Sequence, residues 1–130
     1  MSLKNNLMNP KDESLLALRP QIVTSPAQNP AEAFQNTVLR PILKFQQERI
    51  AAIFQQHIQK RKVNLSGINL EARKTYVETA FQKDLALRHQ LIGLALGMMT
   101  EEEWMEFSED KELARRLNNL LVQRIQSTLG

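Results

Sequence analysis

The chain has 130 residues and no cysteine, which excludes disulfides, thiolate zinc sites, iron–sulfur clusters and a cysteine nucleophile. Its two histidines are too few for a metal centre built from several, and we expect neither a metal nor another cofactor. Four glycines and five prolines are too few for an all-β protein, in which turns recur about every 8–12 residues. Walker, G-x-G-x-x-G and G-x-S-x-G motifs are also absent, and we assign no catalytic residue.

Long apolar runs are missing as well. Beyond the N-terminal tail, the longest stretch without Asp, Glu, Lys or Arg is the twelve residues from His89 to Thr100. A membrane-spanning helix needs about 20. The first six residues lack the apolar segment of a secretory signal. We therefore expect a cytoplasmic protein without a membrane partner.

The apolar residues recur at the spacing of helices, and no stretch alternates as a strand does. We expect an all-α fold, in which a long kinked helical hairpin and a C-terminal helix form a bundle of three to four helices. Residues 1–28 are predicted to form an extended N-terminal arm that includes one short helical turn and lies along the body. Residues 29–130 are predicted to form the helical bundle domain.

The first long helix is predicted to begin at Asn29 and Pro30, an N-cap and a first-turn proline, and to end near Arg61. Pro41 should kink it, because the proline ring clashes with the preceding turn and lacks an N–H. Two neighbouring rows of apolar residues make a stripe wider than one partner helix covers. The rows are Phe34, Val38, Ile42, Phe45 and Ile53, and Leu39, Leu43, Ile50, Phe54 and Ile58.

A second helix of similar length is predicted from the Asn69 cap to Met99, antiparallel to the first. Its apolar face consists of Leu70, Val77, Phe81, Leu85, Ile92, Ala95 and Met99. Thr100 and Glu103 form a capping box that opens a short helix. Ser108 is expected to cap the last helix, whose apolar residues are Leu113, Leu117, Leu120, Leu121, Ile125 and Leu129.

Charge is unevenly distributed along the chain, although the net charge is only +3. Residues 40–74 carry eight basic and two acidic side chains, a net +6, and residues 100–112 carry one basic and seven acidic, a net −6. Such opposite charges favour pairing, either within the chain or between copies of it. Within the basic segment, Lys60, Arg61 and Lys62 fit a solvated helix end, and phosphate-backbone binding of nucleic acid is the alternative.

Polar residues on the second helix are the candidates for a binding site. Asp84 and Arg88 are four residues apart and adjoin the apolar face. They are expected either to pair with each other at its edge, or to pair with each other or with a partner charge as a buried device that fixes the helix register or a dimer seam. With His89 and Gly93 they could also line a pocket. Gly93 and Gly97 interrupt a helix, which a close helix–helix crossing or a small ligand slot would explain.

Three functions are compatible with these features. We favour a non-enzymatic interaction or scaffold protein that self-associates, with a dimer as the favoured oligomer. An unidentified protein partner is the alternative to self-association. This choice is based on the excess of apolar helix surface and the lack of catalytic clusters. The alternatives are a small-molecule-binding protein or enzyme with a pocket near Asp84 and Arg88, and a weak nucleic-acid binder that uses Lys60, Arg61 and Lys62.

Two short segments, Leu39–Ile42 (Leu-Arg-Pro-Ile) and Gln82–Asp84 (Gln-Lys-Asp), followed by Arg88 and Gly93, carry a resemblance to known proteins. Over about residues 15–125 the chain resembles short bacterial all-helical proteins of uncharacterised function, some of which carry a glyoxalase name. That name implies a metal-dependent lyase that acts on hemithioacetals in a βαβββ fold. Because this chain shows neither strands nor matching His and Glu ligands, no catalytic residue is transferred to it.

Overall fold

A computed structural model describes residues 8–129 of the chain. Its α-helices are α1 (Pro10–Ala17), α2 (Pro30–Phe34), α3 (Arg40–Phe45), α4 (Gln47–Arg61), α5 (Leu70–Lys83), α6 (Leu85–Leu96), α7 (Glu101–Glu109) and α8 (Lys111–Ser127). A π-helical segment (Gln35–Leu39) joins α2 to α3, and a 3-10 turn (Leu65–Gly67) lies between α4 and α5. Because the described range contains no strand, the all-α prediction is confirmed.

The first long helix changes from α-helical to π-helical geometry just before Pro41, the residue at which a kink is predicted. Pro41 follows the π-helical segment, in which the amide of Arg40 donates to the carbonyl of Gln35, five residues back. This wider turn accommodates a proline ring that would strike the carbonyl of a regular α-helix. A second interruption, at Gln46, was not predicted. Its backbone leaves the helical region (φ −93°, ψ 7°), and α4 begins at the next residue.

The second long helix is not continuous, and this part of the prediction is wrong. Asp84 has extended backbone angles (φ −92°, ψ 92°) and separates α5 from α6. The two halves pack mainly against different helices. The Gln46 side chain reaches the carbonyl of Leu94, and Arg61 reaches Asp84, so α6 runs antiparallel to α4.

The other half, α5, pairs with the last helix. Arg73 donates to the carbonyl of Leu129 at 2.9 Å, and the Gln126 amide donates to the carbonyl of Lys74 at 3.1 Å. These contacts show that α5 and α8 are antiparallel. The break at Asp84 therefore turns the predicted hairpin into a bundle in which α4 pairs with α6 and α5 pairs with α8.

The core contains most of the apolar residues predicted for it. Three predicted core residues are exposed instead: Phe45 (44%), Leu70 (41%) and Leu85 (52%). Leu85 is exposed because the break at Asp84 changes the helical register, and α6 buries Leu87, Leu91 and Ala95. The largest fully buried side chains are Leu39, Ile42, Leu43, Ile50, Leu91, Leu113, Leu117, Leu121, Ile125 and Val77.

The described part of the arm, from Met8 onward, lies along the body as predicted. It contains α1, which is longer than the expected single turn, and residues 21–28 have no helix or strand. Arg19 fastens it: Nη1 donates to Glu103 at 2.7 Å, and Nη2 donates to the carbonyl of Met98 at 2.8 Å. Residues 1–7 of the predicted arm lie outside the described range, and the domain boundary at residue 28 stays a prediction.

The predicted helix starts have mixed outcomes. Thr100 and Glu103 form the capping box before α7, and Asn69 caps α5. The last helix is capped by Asp110, which accepts from the amide of Glu112, and not by Ser108. Ser108 instead lies inside α7. Among residues 8–129, no helix is both long and apolar enough to cross a membrane.

Candidate functional site

The break between α5 and α6 places the carboxylate of Asp84 among donors from three directions. Its Oδ1 accepts from the backbone amide of Leu87 at 3.1 Å and so caps α6. Its Oδ2 lies 3.0 Å from Nη2 of Arg61 and 3.2 Å from Nδ1 of His57, both on α4. The Leu87 amide is the main cause of the lowered pKa of Asp84, and Arg61 and His57 add to it.

His57 connects Asp84 to Tyr76 on α5. Its Nε2 lies 2.9 Å from the Tyr76 hydroxyl, and its ring stacks on Phe54 with the ring centroids 5.6 Å apart. A neutral imidazole that donates from Nδ1 to Asp84 and accepts at Nε2 from Tyr76 satisfies both contacts. Burial lowers the pKa of His57 and outweighs the opposite effect of Asp84, which favours this neutral form.

Two small cavities flank this group of side chains. One, of about 210 Å³, lies between α4 and α6 and is lined by Gln56, Lys60 and Gln90. The other, of about 180 Å³, is lined by Tyr76, Thr79 and Lys83, and both include His57, Arg61 and Asp84.

The order Tyr76, His57, Asp84 matches that of a nucleophile, a base and an orienting acid. An activated nucleophile, however, has a lowered pKa, and burial raises the pKa of Tyr76. Asp84, moreover, is already held by three donors. We interpret Asp84, His57, Tyr76 and Arg61 as a polar tie, a set of side chains that connects α4 to α5 and α6.

The structure separates the four residues predicted to form a binding site. Asp84 belongs to the polar tie, and Arg88 lines a different cavity, between α5, α6 and α8. The expected Asp84–Arg88 ion pair is not formed, since Asp84 pairs with Arg61 and His57. His89 is exposed. A Cβ added at Gly93 would meet nothing within 4 Å, so this glycine does not mark a close helix crossing within the described chain.

Sequence reasoning did not connect His57 and Tyr76 with Asp84. The spacing of His57 and Arg61, four residues apart on one helix, was a usable signal, because it puts two donors on the same face. Asp84 directly precedes an apolar run and could also have been read as an N-cap. The contact between the two helices, however, depends on the break itself.

The predicted basic residues lie at the end of α4. Arg61 is engaged by Asp84, while Lys60 and Lys62 are exposed. Lys62 ends the helix in the left-handed conformation (φ 55°), and the amide of Val63 donates back to the carbonyl of Ile58 at 3.1 Å. We use the term basic end for the four cations that flank the turn between α4 and α5: Lys60, Lys62, Arg73 and Lys74.

Four exposed glutamates lie on α7, which directly precedes the N-terminus of α8: Glu101, Glu102, Glu106 and Glu109. The last helix, α8, follows α7 directly, and its C-terminal turn contacts Lys74 through Gln126. Its 17 residues span about 25 Å at 1.5 Å per residue. We call α7 the acidic helix. Lys74 of the basic end therefore lies about one helix length from the start of α8, which follows the acidic helix.

Two large apolar side chains are exposed on the acidic helix. Trp104 is 46% exposed and Met105 is 56% exposed. Phe107 on the same helix is buried, with its ring centroid 6.3 Å from that of Phe34. The helix is therefore anchored to the body by Phe107 and Glu103 and presents Trp104 and Met105 outward among carboxylates.

No protein-family model matches this chain, and no curated protein or solved structure is significantly similar to it. The resemblance to short bacterial helical proteins therefore stays a prediction. The helices of residues 8–129 differ from the βαβββ fold that the glyoxalase name implies. Among these residues, no three His, Asp or Glu side chains are grouped so that they could hold a metal ion.

Proposed function

We propose that the protein is a non-enzymatic helical interaction protein, which forms a dimer in which the acidic helix of each copy contacts the basic end of the other. The observation that carries this proposal is the separation, within residues 8–129, of two sets of opposite charges that form no ion pairs, one on the acidic helix and one in the basic end. We also propose a cytoplasmic location, in keeping with a chain that has no cysteine.

The charges at the two ends are not neutralised within the described chain. In residues 8–129, the ion pairs that involve the acidic residues of segment 100–112 are Arg19–Glu103 and those of Glu112 with Arg115 and Arg116. Glu101, Glu102, Glu106 and Glu109 take no part in them. At the other end, Lys60, Lys62 and Lys74 are likewise without carboxylate partners in that range, and Arg73 binds backbone carbonyls.

A two-fold axis brings both pairs of ends together at once. When two copies lie side by side and antiparallel, each acidic helix faces the basic end of the other copy, and the contact closes without leaving a free end. Trp104 and Met105 would be covered in such a contact. Interfaces commonly combine aromatic and Met anchors with a charged rim, which is what the acidic helix offers.

Charge reversal tests this arrangement. One variant carries Glu102→Lys and Glu106→Lys on the acidic helix, and the other carries Lys60→Glu and Lys62→Glu at the basic end. Each is expected to be monomeric alone, because the two reversed charges cancel the two that remain on that surface, and both contacts lose the attraction between opposite charges. An equimolar mixture should recover a heterodimer, since one contact joins the two unaltered surfaces and the other pairs the two new lysines with the two new glutamates.

The control is Lys44→Glu with Arg49→Glu, a double reversal of exposed cations outside the basic end. Light scattering should give the wild-type mass for this control. A mixture that stays monomeric, or single variants that still dimerise, would show that these two surfaces do not pair.

A further inference from the structure

A third and larger cavity, of about 430 Å³, lies where α5, α6 and α8 meet. Cavities that bind small molecules commonly have volumes of about 300–1,000 Å³. One part of its lining is apolar and includes Phe81 and Val122, and another part presents side-chain amides, among them Gln82, Asn118 and Gln123. None of its lining residues belongs to the basic end or the acidic helix.

Arg88 is the basic residue of this cavity. Its side chain is partly buried, and it makes no ion pair or hydrogen bond with another side chain in residues 8–129. Arg19 and Arg116, by contrast, which are also partly buried, each bind a glutamate. A guanidinium presents two parallel N–H groups that match a carboxylate, so Arg88 is an anion partner that the described chain leaves unused.

The acidic residue of the cavity, Glu78, is held away from Arg88. Its Oε1 accepts from the Gln126 amide at 3.2 Å, and Gln126 also binds the carbonyl of Lys74. Because α5 and α8 are antiparallel, Asn119 lies toward the Arg88 end, about 10 Å along α8 from Gln126. The cavity thus has Arg88 and side-chain amides on one side, an apolar wall, and Glu78 on the far side.

We propose that this cavity binds a small organic carboxylate with an apolar body. The carboxylate pairs with Arg88 and receives further hydrogen bonds from the amides of Gln82 and Asn118. The apolar body lies against Phe81 and Val122. This ligand class fits the lining better than a free inorganic anion does, because an inorganic anion would leave the apolar wall without a contact. Ligand binding here is independent of the proposed dimer contact.

Benzoate is a suitable probe, with benzyl alcohol as its uncharged counterpart and acetate as a carboxylate without a large apolar body. Titration of the ¹⁵N-labelled full chain, followed by NMR, reports on the side-chain amides of Gln82, Asn118 and Gln123. We expect benzoate to shift these amide signals in a saturable manner. Benzyl alcohol and acetate should each bind at least about tenfold more weakly, since each lacks one half of the recognition.

Three variants connect the binding to Arg88. Arg88→Gln should weaken benzoate binding by about tenfold or more, and Arg88→Lys should weaken it less, since a lysine keeps the charge without the two-pronged geometry. Arg49→Gln removes an exposed charge outside this cavity and should leave the affinity unchanged. Circular dichroism spectra that match that of the wild type show that the variants are folded.

Several results would overturn the proposal. Equal binding of benzyl alcohol and benzoate would show an apolar pocket without carboxylate recognition. An equal loss of benzoate affinity in Arg49→Gln and Arg88→Gln would show a general effect of the protein's charge. An absence of saturable shifts with benzoate at millimolar concentration would show that the cavity binds no such ligand.

Discussion

The Nδ1 atom of His57 lies 3.2 Å from Oδ2 of Asp84, and this contact joins the middle of α4 to the break between α5 and α6. The same carboxylate caps α6 and binds Arg61. Both side chains of the contact are largely buried, with exposed fractions of 8% for His57 and 16% for Asp84. One aspartate at the break therefore caps the second half of this helix and connects it to α4.

Asp84→Ala should destabilise the protein by about 2–3 kcal/mol, because it removes an N-cap and leaves the N–H of His57 without its acceptor. Asp84→Asn keeps a capping oxygen but loses the charge, so we expect a smaller cost of about 1 kcal/mol. Urea denaturation followed by circular dichroism measures both values. Asp110→Ala, which removes the cap of α8, serves as the control and should cost about 1 kcal/mol. If Asp84→Ala lowers the free energy of unfolding no more than Asp110→Ala does, the polar tie contributes nothing to stability beyond the N-cap of α6.

Acid should weaken the fold through His57. Burial places the folded-state pKa of His57 below its ordinary value of 6.5. Below pH 6.5 the unfolded chain therefore binds more protons at His57 than the folded chain does. The free energy of unfolding then decreases as the pH is lowered, until the pH is below the folded-state pKa of His57. Asp84 acts in the same direction at lower pH, because its pKa is lowered from 3.8 and its contribution disappears once it is protonated.

The measurement is urea denaturation at a series of pH values for the wild type and His57→Gln. The decline just below pH 6.5 should be smaller in the variant. An NMR titration of the imidazole of His57 gives its pKa directly. Parallel stability curves, or a pKa of His57 at or above 6.5, would contradict the role given to burial.

Local signals in the sequence were sufficient for much of the fold. The caps at Asn69 and Thr100 depend on residues within one turn of the helix start, and the leucines of α8 repeat without interruption. The irregular turn before Pro41 is expected from the chemistry of proline alone. Such features do not depend on what the rest of the chain does, which is why the sequence predicts them.

The break at Asp84 could not be predicted in this way. Phe81, Leu85 and Ile92 have the spacing of one continuous apolar face, and a continuous helix would have buried Leu85. The partners that stabilise the break, His57 and Arg61, come from another helix, so the gain appears only after the helices have packed. The predicted Asp84–Arg88 ion pair does not form for the same reason. The cavity beside Arg88 could not be predicted either, because it depends on where α8 packs.

Arg19→Ala should release the arm. An isolated helix of eight residues is marginal in water, so the protection of α1 depends on docking through Arg19, Glu103 and the carbonyl of Met98. We expect amide hydrogens of α1 to exchange about tenfold faster or more in the variant, while those of α8 keep the wild-type rate. Hydrogen exchange with mass spectrometry resolves the two segments. Lys11→Ala, an exposed change within α1, is the control, and equal exchange in all three proteins would show that Arg19 does not hold the arm.

Gly93→Ala should stabilise the protein by about 0.5–1 kcal/mol, because the added methyl group meets open space and alanine favours the helix. Gly67→Ala should give no gain, since its methyl group would lie 3.2 Å from the Asn64 amide nitrogen. Thermal unfolding compares the two variants with the wild type. A loss of stability or of the dimer in Gly93→Ala would instead place Gly93 in a close contact between copies.

Sedimentation equilibrium of the wild-type chain at micromolar concentration tests the proposed dimer most directly. At low ionic strength the weight-average mass should approach twice the 15.0 kDa of one chain, and it should fall toward one chain as added salt screens the contact between the acidic helix and the basic end. A mass of one chain at every salt concentration would contradict the proposal that the protein acts through self-association.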